Sequence, residues 1–182
     1  MYIAQKLKHE NIVEYLLYMW QIEDLLRAFE LNMDTVNEKI VKPYPIESET
    51  ERKKLYEWYE SIIEMLKSEN AQKLGHIQIN KNIIIQINDF HTLLLESGKM
   101  PDYNAKFYYI LPSINTLHTK NTTPKSDIEV LMNFMYGIMT LQMRKIEIAA
   151  ETLTIKQEAA KFLHLLAKYY KMYQKGDLEF ED

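Results

Sequence analysis

Apolar side chains recur at spacings of three and four residues along most of this chain, which places them on one face of an α-helix. The first segment with this pattern covers residues 8–32, and its apolar set is Tyr15, Tyr18, Ile22, Leu25, Leu26 and Phe29. A later segment contains the run IIIQI, whose β-branched residues also suit a strand. Its length and the spacing of its apolar residues, Ile83, Ile87, Phe90 and Leu94, favour a helix over residues 76–97.

Residues that begin and end helices divide the chain at a small number of points. Only four Gly and five Pro occur, so we expect few joints and long elements. Ser48 precedes Glu51 by three residues, and Ser126 precedes Glu129 by three. This capping-box spacing predicts a helix start at each serine, and Gly98 predicts a helix end. The predicted helices are 8–32, a helix that opens at Ser48, 76–97, 102–120, 127–145 and 150–174.

This pattern predicts an all-α protein built as a single-domain bundle of about six helices. The connections are short, so neighbouring helices are expected to be largely antiparallel. A chain of 182 residues suits one domain and is long enough to bury a core without disulfides. The predicted domain covers residues 1–175, and an acidic C-terminal tail covers 176–182.

The composition indicates which binding partners and which cellular location are expected. The formal net charge is −4, which predicts no nucleic-acid partner and no membrane partner. Cysteine is absent, which excludes disulfides, thiolate zinc sites, iron–sulfur clusters and cysteine nucleophiles. The N-terminus lacks the apolar segment of a signal peptide, and the longest uncharged apolar run, YLLYMW, is too short to span a bilayer. The expected location is the cytoplasm.

The polar residues of the first predicted helix fall into two groups on a helical wheel of about 100° per residue. One arc, predicted to face solvent, contains Glu23, Arg27, Glu30 and Asp34. Glu14 and Gln21 lie near the opposite pole between two apolar arcs, and Asp24 lies at the margin of one of them. A helix with apolar residues on both sides of a polar stripe is expected to be largely buried. A buried carboxylate then needs a partner.

The predicted helix 76–97 carries matching polar residues on its apolar side, where His76, Asn80 and His91 share one face. If the two helices pack together, polar side chains from both would meet. The candidate ligand-binding residues are therefore Glu14, Gln21, Asp24, His76, Asn80 and His91. These groups could form a structural network that fixes helix register, or they could line a small-molecule pocket.

A metal site at this cluster is disfavoured, because neither Glu-x-x-His nor His-x-x-x-His occurs in the chain. The common phosphate-binding, dinucleotide-binding, serine-hydrolase and zinc-protease motifs (GxxxxGK, GxGxxG, GxSxG and HExxH) are also absent. The sequence thus predicts no catalytic residue, no metal ligand and no cofactor.

Four strings give the chain a resemblance to a known family: EYLLYMWQIEDLLRA, GHIQINKN, YYILPSI and YYKMYQKGDLEF. The chain resembles a domain-of-unknown-function family of cytoplasmic proteins of about this length, found mainly in Bacteroidetes-type bacteria. The resemblance covers the whole chain and implies an all-helical single domain. It implies no activity, and no functional residue is carried over from it.

These observations favour a non-enzymatic helical interaction or scaffold protein that associates with itself or with another protein. The support is an excess of apolar and aromatic residues on long helices without a catalytic motif. The alternative is a small-molecule-binding protein, which could be an enzyme, with its polar pocket between the predicted helices 8–32 and 76–97.

Overall fold

The computed structural model describes residues 1–120 and 123–180, and every regular element within them is helical. The all-α class predicted from the hydrophobic spacing is therefore confirmed. A π-helical segment, Asn37–Val41, follows the third α-helix. The α-helices are α1 (Tyr2–Glu10), α2 (Ile12–Ala28), α3 (Met33–Val36), α4 (Glu49–Ser68), α5 (Gln78–Ser97), α6 (Pro101–His118), α7 (Asp127–Met143) and α8 (Ala150–Gln174).

The described chain has eight α-helices where about six were predicted. The predicted helix 8–32 is divided between α1 and α2, and the short α3 follows it. The side-chain oxygen of Asn11 accepts hydrogen bonds from the backbone N–H groups of Val13 and Glu14, each at 3.2 Å. Asn11 therefore caps the start of α2. At the other end, Glu30 has a positive φ of 55°, a backbone conformation that an α-helix does not contain.

Both predicted capping serines lie where the sequence places them. The Oγ of Ser48 accepts the backbone N–H of Glu51 at 3.4 Å, and the Oγ of Ser126 accepts that of Glu129 at 3.2 Å. The helices α4 and α7 begin at the next residue in each case. Gly98, with a φ of 62°, directly follows α5, as predicted.

The chain forms two compact units, of which unit 1 consists of Met1–Lys8 and Tyr15–Asn82. Its core includes the apolar face of α4, whose buried residues are Leu55, Tyr59, Ile62, Ile63 and Leu66. The guanidinium of Arg52 on the same helix donates to the backbone carbonyls of Val41 and Lys42 at 2.8 Å and 2.9 Å. These bonds fix the π-helical segment to α4.

Unit 2 consists of His9–Glu14 and Ile83–Asp182. Within it, α6 packs against both α7 and α8. Buried aromatic rings of α6 and α8 meet in its core, where the centroid of Phe162 lies 5.2 Å from that of Tyr103 and 5.8 Å from that of Phe107. Within the described ranges, none of the helices has the length and apolar character that crossing a bilayer requires. The last two residues of the predicted acidic tail, 181–182, lie outside the described residues.

Candidate functional site

The carboxylate of Glu23, on α2, is completely buried in unit 1, with 0% exposure. Its Oε1 accepts hydrogen bonds from the backbone N–H of Ile77 at 3.1 Å and from Nδ2 of Asn80 at 2.7 Å. Its Oε2 lies 2.6 Å from Nδ1 of His76. These three donors replace the water that the carboxylate loses on burial. Because its hydrogen bonds are satisfied, the carboxylate can lie inside the fold.

The imidazole of His76 is held by the carboxylate and by an aromatic ring. It stacks on Trp20, with ring centroids 4.1 Å apart and ring planes inclined by 14°. Nδ1 faces the Glu23 carboxylate, which only accepts hydrogen bonds, so Nδ1 is the donor of this contact and Nε2 is the ring nitrogen on the other side. The side chain keeps 27% of its exposure. Glu23 therefore orients an imidazole that solvent reaches.

Arg27, one helical turn after Glu23, binds the loop between α4 and α5. Its Nε donates to the carbonyl oxygen of Ala71 at 3.1 Å, and its terminal nitrogen donates to the carbonyl oxygen of Gly75. The guanidinium also lies 3.9 Å from the Glu23 carboxylate. Two neighbouring turns of α2 thus clamp this loop through its backbone and through His76.

The start of α5 explains why a buried carboxylate is needed at this place. The residue before α5 is Ile77, which has no side-chain acceptor for the unpaired N–H groups of a helix start. The carboxylate of Glu23 accepts the N–H of Ile77, and that of Glu69 accepts the N–H of Gln78. Carboxylates from α2 and from the end of α4 therefore replace the missing local cap, and negative charge is favourable there.

The sequence-based assignment of Glu23 to a solvent-facing arc is wrong. Glu23, rather than Glu14, Gln21 or Asp24, receives the hydrogen bonds from His76 and Asn80. The helical wheel placed Glu23 on the same side of α2 as Arg27, which is correct. It contains no information about the loop that covers this side of the helix. An uncapped helix start at Ile77 was the signal that could have indicated a distant carboxylate.

The three residues predicted from the first helix occupy different surroundings. Glu14 is exposed and accepts a hydrogen bond from Nδ2 of Asn11 at 3.0 Å. Asp24 is exposed and pairs with Arg27 at 2.7 Å. Gln21 is half-buried. A ligand-binding role for these residues stays a prediction.

His91 is buried in unit 2, with 4% exposure, and its Nδ1 lies 2.6 Å from the hydroxyl oxygen of Tyr103. The ring centroid of Phe107 lies 4.8 Å from that of His91. Burial lowers the pKa of the imidazole to about 4, although the negative charge of Asp127 acts in the opposite direction. At neutral pH His91 is therefore an uncharged core residue. The prediction that Asn80 and His91 face inward is confirmed by their burial.

Two polar atoms remain available for chemistry at the Glu23 site. One is Nε2 of His76, the ring nitrogen that does not face the Glu23 carboxylate. The other is the side-chain oxygen of Asn80, a buried atom with no hydrogen-bond partner in the described part of the chain. The described residues contain no group of three or more His, Cys, Asp or Glu side chains placed to hold a metal ion.

A second feature of functional interest is the exposed side of α6, which carries no charged residue from Ala105 to Thr119. We call this surface the α6 face, and it spans an arc of about 120° on the helix. Tyr108 and Tyr109 on it are 63% and 67% exposed. The residues of the α6 face are Ala105, Tyr108, Tyr109, Pro112, Asn115, Thr116 and Thr119.

The α6 face contrasts with the exposed side of α4, which consists mainly of Glu and Lys. Charged groups of α6 and α8 lie at one edge of the α6 face. Lys106 pairs with Glu158 at 2.8 Å, and its ammonium lies 5.3 Å from the ring centroid of Tyr109. The face is therefore an uncharged, aromatic strip with a paired charge at its border.

Comparison with known proteins supports the resemblance found in the sequence. The model of a family described as a domain of unknown function, DUF4924, matches residues 1–177. No curated protein and no solved structure matches the chain.

Proposed function

Because the chain belongs to the DUF4924 family, whose description assigns no activity, we propose its function from geometry: a non-enzymatic helical protein that self-associates through the α6 face. The observation that carries the proposal is the pair of exposed tyrosines on a strip without charge. Tyrosine is enriched at protein interfaces, whereas Lys, Glu and Asp are depleted there. The proposal places this protein in the cytoplasm and its helices in a largely antiparallel bundle, since their connections are short.

A second copy of this chain is the occupant that suits the α6 face. A twofold contact pairs a surface with itself, so a charged strip would bring like charges together. The chain has a net charge of −4, so two copies repel each other overall. On the α6 face they can meet without opposing like charges. Tyr108 and Tyr109 then supply large contact areas of a residue type that often dominates binding energy.

The exchange of Tyr108 for Glu tests the proposal. In the dimer, Tyr108→Glu would place two carboxylates at the contact and remove the two Tyr108 rings. We therefore expect the association constant of the dimer to fall by at least about tenfold. Sedimentation equilibrium or light scattering over a series of concentrations measures the mass. The proposal fails if the wild-type protein has the mass of one chain at every concentration, or if Tyr108→Glu leaves the mass unchanged.

Leu74→Glu is the matched control for this experiment. Leu74 is an apolar residue that is 83% exposed, and it belongs to unit 1. The same charge is added at an exposed apolar position outside the α6 face, so the association should not change. Circular dichroism of both variants checks that the helices remain folded.

The Glu23 site supports a second candidate function, the binding of a small molecule. What favours it is the combination of a carboxylate-oriented imidazole with 27% exposure and the buried, unpartnered oxygen of Asn80. Because Nδ1 of His76 faces the Glu23 carboxylate, Nε2 is the ring nitrogen left to form a hydrogen bond with a ligand. The ligand class would be one with a hydrogen-bond donor.

Native mass spectrometry of the purified protein separates the two functions. A mass equal to a whole number of chains above one supports self-association. A stable excess mass that is lost on denaturation, and that His76→Gln abolishes, supports the small-molecule site. A single bare chain at all concentrations contradicts both.

A further inference from the structure

The C-terminal end of unit 2 carries an aromatic cluster that none of the roles above uses. After α8 the chain turns at Gly176, whose φ is 75°, and Leu178 is buried. Phe180 then returns to α5, where the centroid of its ring lies 6.1 Å from that of Phe90. The ammonium of Lys99 donates to the carbonyl oxygen of Phe180 at 3.2 Å and holds the segment in place.

Four rings from three segments meet at this point, and we call them the aromatic cage: Phe90, Tyr170, Tyr173 and Phe180. The centroid of Phe90 lies 5.3 Å from that of Tyr170, with ring planes at 75°, and 5.1 Å from that of Tyr173. The centroid of Tyr173 lies 5.7 Å from that of Phe180. Tyr173 is 45% exposed, so its ring borders solvent.

Two cavities adjoin the cage, and both are lined by Leu93 and Tyr173. The first, of about 300 Å³, is also lined by Phe90, Tyr170 and Asp89. The second, of about 540 Å³, is also lined by Phe180 and Glu179. These volumes lie in the range of small-molecule sites, which are typically apolar and aromatic with a few polar groups.

The charged residues that line the two cavities are all acidic. Each cavity has one carboxylate, from Asp89 or from Glu179, and none of the described lining residues is Lys or Arg. The nearby cation, Lys99, directs its ammonium to the carbonyl of Phe180. An anionic ligand would therefore meet carboxylates and aromatic rings without a cation, whereas a cation is attracted to carboxylates and to aromatic rings.

From this arrangement we propose that the aromatic cage binds a trimethylammonium group. Such a group carries a positive charge spread over methyl groups and has no hydrogen-bond donor. Aromatic rings and a nearby carboxylate attract this group, and it needs no hydrogen-bond acceptor inside the cavity. The same chemistry occurs in free choline-like molecules, in trimethylated lysine side chains and in phosphatidylcholine headgroups.

Comparison of choline with its uncharged isostere, 3,3-dimethylbutan-1-ol, tests the role of the charge. The two molecules have the same shape, so apolar burial contributes equally to both. We expect choline to bind about tenfold more tightly, with its N-methyl proton resonances shifted by the aromatic rings. Equal binding of the two molecules, or no binding of choline, would overturn the proposal.

Variants locate the site. Tyr173→Leu removes a ring that lines both cavities and should abolish the preference for choline, while Tyr173→Phe keeps the ring and should keep the preference. Asp89→Asn should weaken choline binding severalfold, whereas Glu96→Gln, an exposed carboxylate on the same helix outside both linings, should not. Loss of binding in Tyr173→Phe or in Glu96→Gln would contradict the assignment.

The source of the cation is distinguished with three probes: choline, a peptide with one trimethyllysine, and phosphatidylcholine vesicles. The unmodified peptide and phosphatidylglycerol vesicles are the matched controls. The probe with the greatest gain over its control identifies the form in which the trimethylammonium group is bound. If no probe binds better than its control, the cage is not a cation site.

Discussion

Glu23 and Asp24 are neighbours in the sequence, yet one carboxylate is completely buried and the other is exposed. Successive residues of a helix differ by about 100° in direction, so a single step changes the surroundings of a side chain. Glu23 points to the loop that α2 clamps and receives the bonds of His76 and Asn80. Asp24 pairs with Arg27 at the surface.

Replacement of these two neighbours should therefore have very different effects on stability. Glu23→Ala leaves the N–H of Ile77 and the amide of Asn80 without their acceptor, and we expect a loss of about 3 kcal/mol in the free energy of unfolding. Asp24→Ala removes an exposed ion pair and should cost at most about 0.5 kcal/mol. Urea unfolding measures both, and similar values for the two variants would contradict the assigned role of Glu23.

His91 should make stability depend on pH in the acid range. Its pKa in the folded protein is about 4, below the ordinary value of 6.5. Between these two pH values the unfolded chain binds a proton that the folded protein does not, so stability falls as the pH decreases. Over this window the loss amounts to about 3 kcal/mol, and below pH 4 this residue causes no further loss.

The variant His91→Gln removes the titrating group but can still bond to the hydroxyl of Tyr103. Its free energy of unfolding, measured by urea at several pH values, should show a slope smaller than that of the wild-type protein between pH 6.5 and about 4. His164→Gln, at an exposed position of α8, serves as the control and should keep the wild-type slope. An unchanged slope in His91→Gln would mean that another group causes the pH dependence.

At the scale of helices, a start that is capped by a neighbouring residue can be predicted from the sequence, whereas a start that is capped by a distant residue cannot. Ser48 and Ser126 cap α4 and α7 through a residue three positions ahead. This spacing is visible in the sequence and was predicted correctly. The start of α5 depends on Glu23, which lies 54 positions before Ile77. No local pattern contains that pairing.

Arg52 anchors the segment before α4 through carbonyls 6 to 11 positions earlier in the chain. One terminal nitrogen donates to the carbonyls of Val41 and Lys42, and the other donates to that of Ile46. Arg52→Lys keeps the charge but cannot reach several carbonyls in a planar fork. We expect it to lower the free energy of unfolding by about 1–3 kcal/mol and to speed amide hydrogen exchange in residues 42–48.

Lys53→Arg is the control for this experiment, because Lys53 is exposed and its ion pair with Glu57 is long, at 3.7 Å. It should leave both stability and hydrogen exchange unchanged. If Arg52→Lys also left the exchange of residues 42–48 unchanged, the carbonyl contacts would not be what orders this segment.

At the scale of the whole molecule, surfaces rather than motifs distinguish this chain. Its net charge is −4, and a helix such as α4 exposes mainly charged residues. The α6 face and the aromatic cage depart from this pattern in two ways, one by lacking charge and the other by combining rings with carboxylates. The Tyr108→Glu experiment belongs to this scale, because its expected effect is on the number of associated chains and not on the fold of one chain.

The sequence by itself determined the all-α class, the capped starts of α4 and α7, the end of α5 and the inward direction of Asn80 and His91. These properties follow from helical periodicity and from residues within one turn of each other, which a linear pattern records. Only the tertiary structure decided that Glu23 is buried, that His76 keeps a partly exposed ring, and that Phe180 returns to Phe90. Each of these depends on a loop or terminal segment that covers a helix, and such coverage brings together residues far apart in the chain.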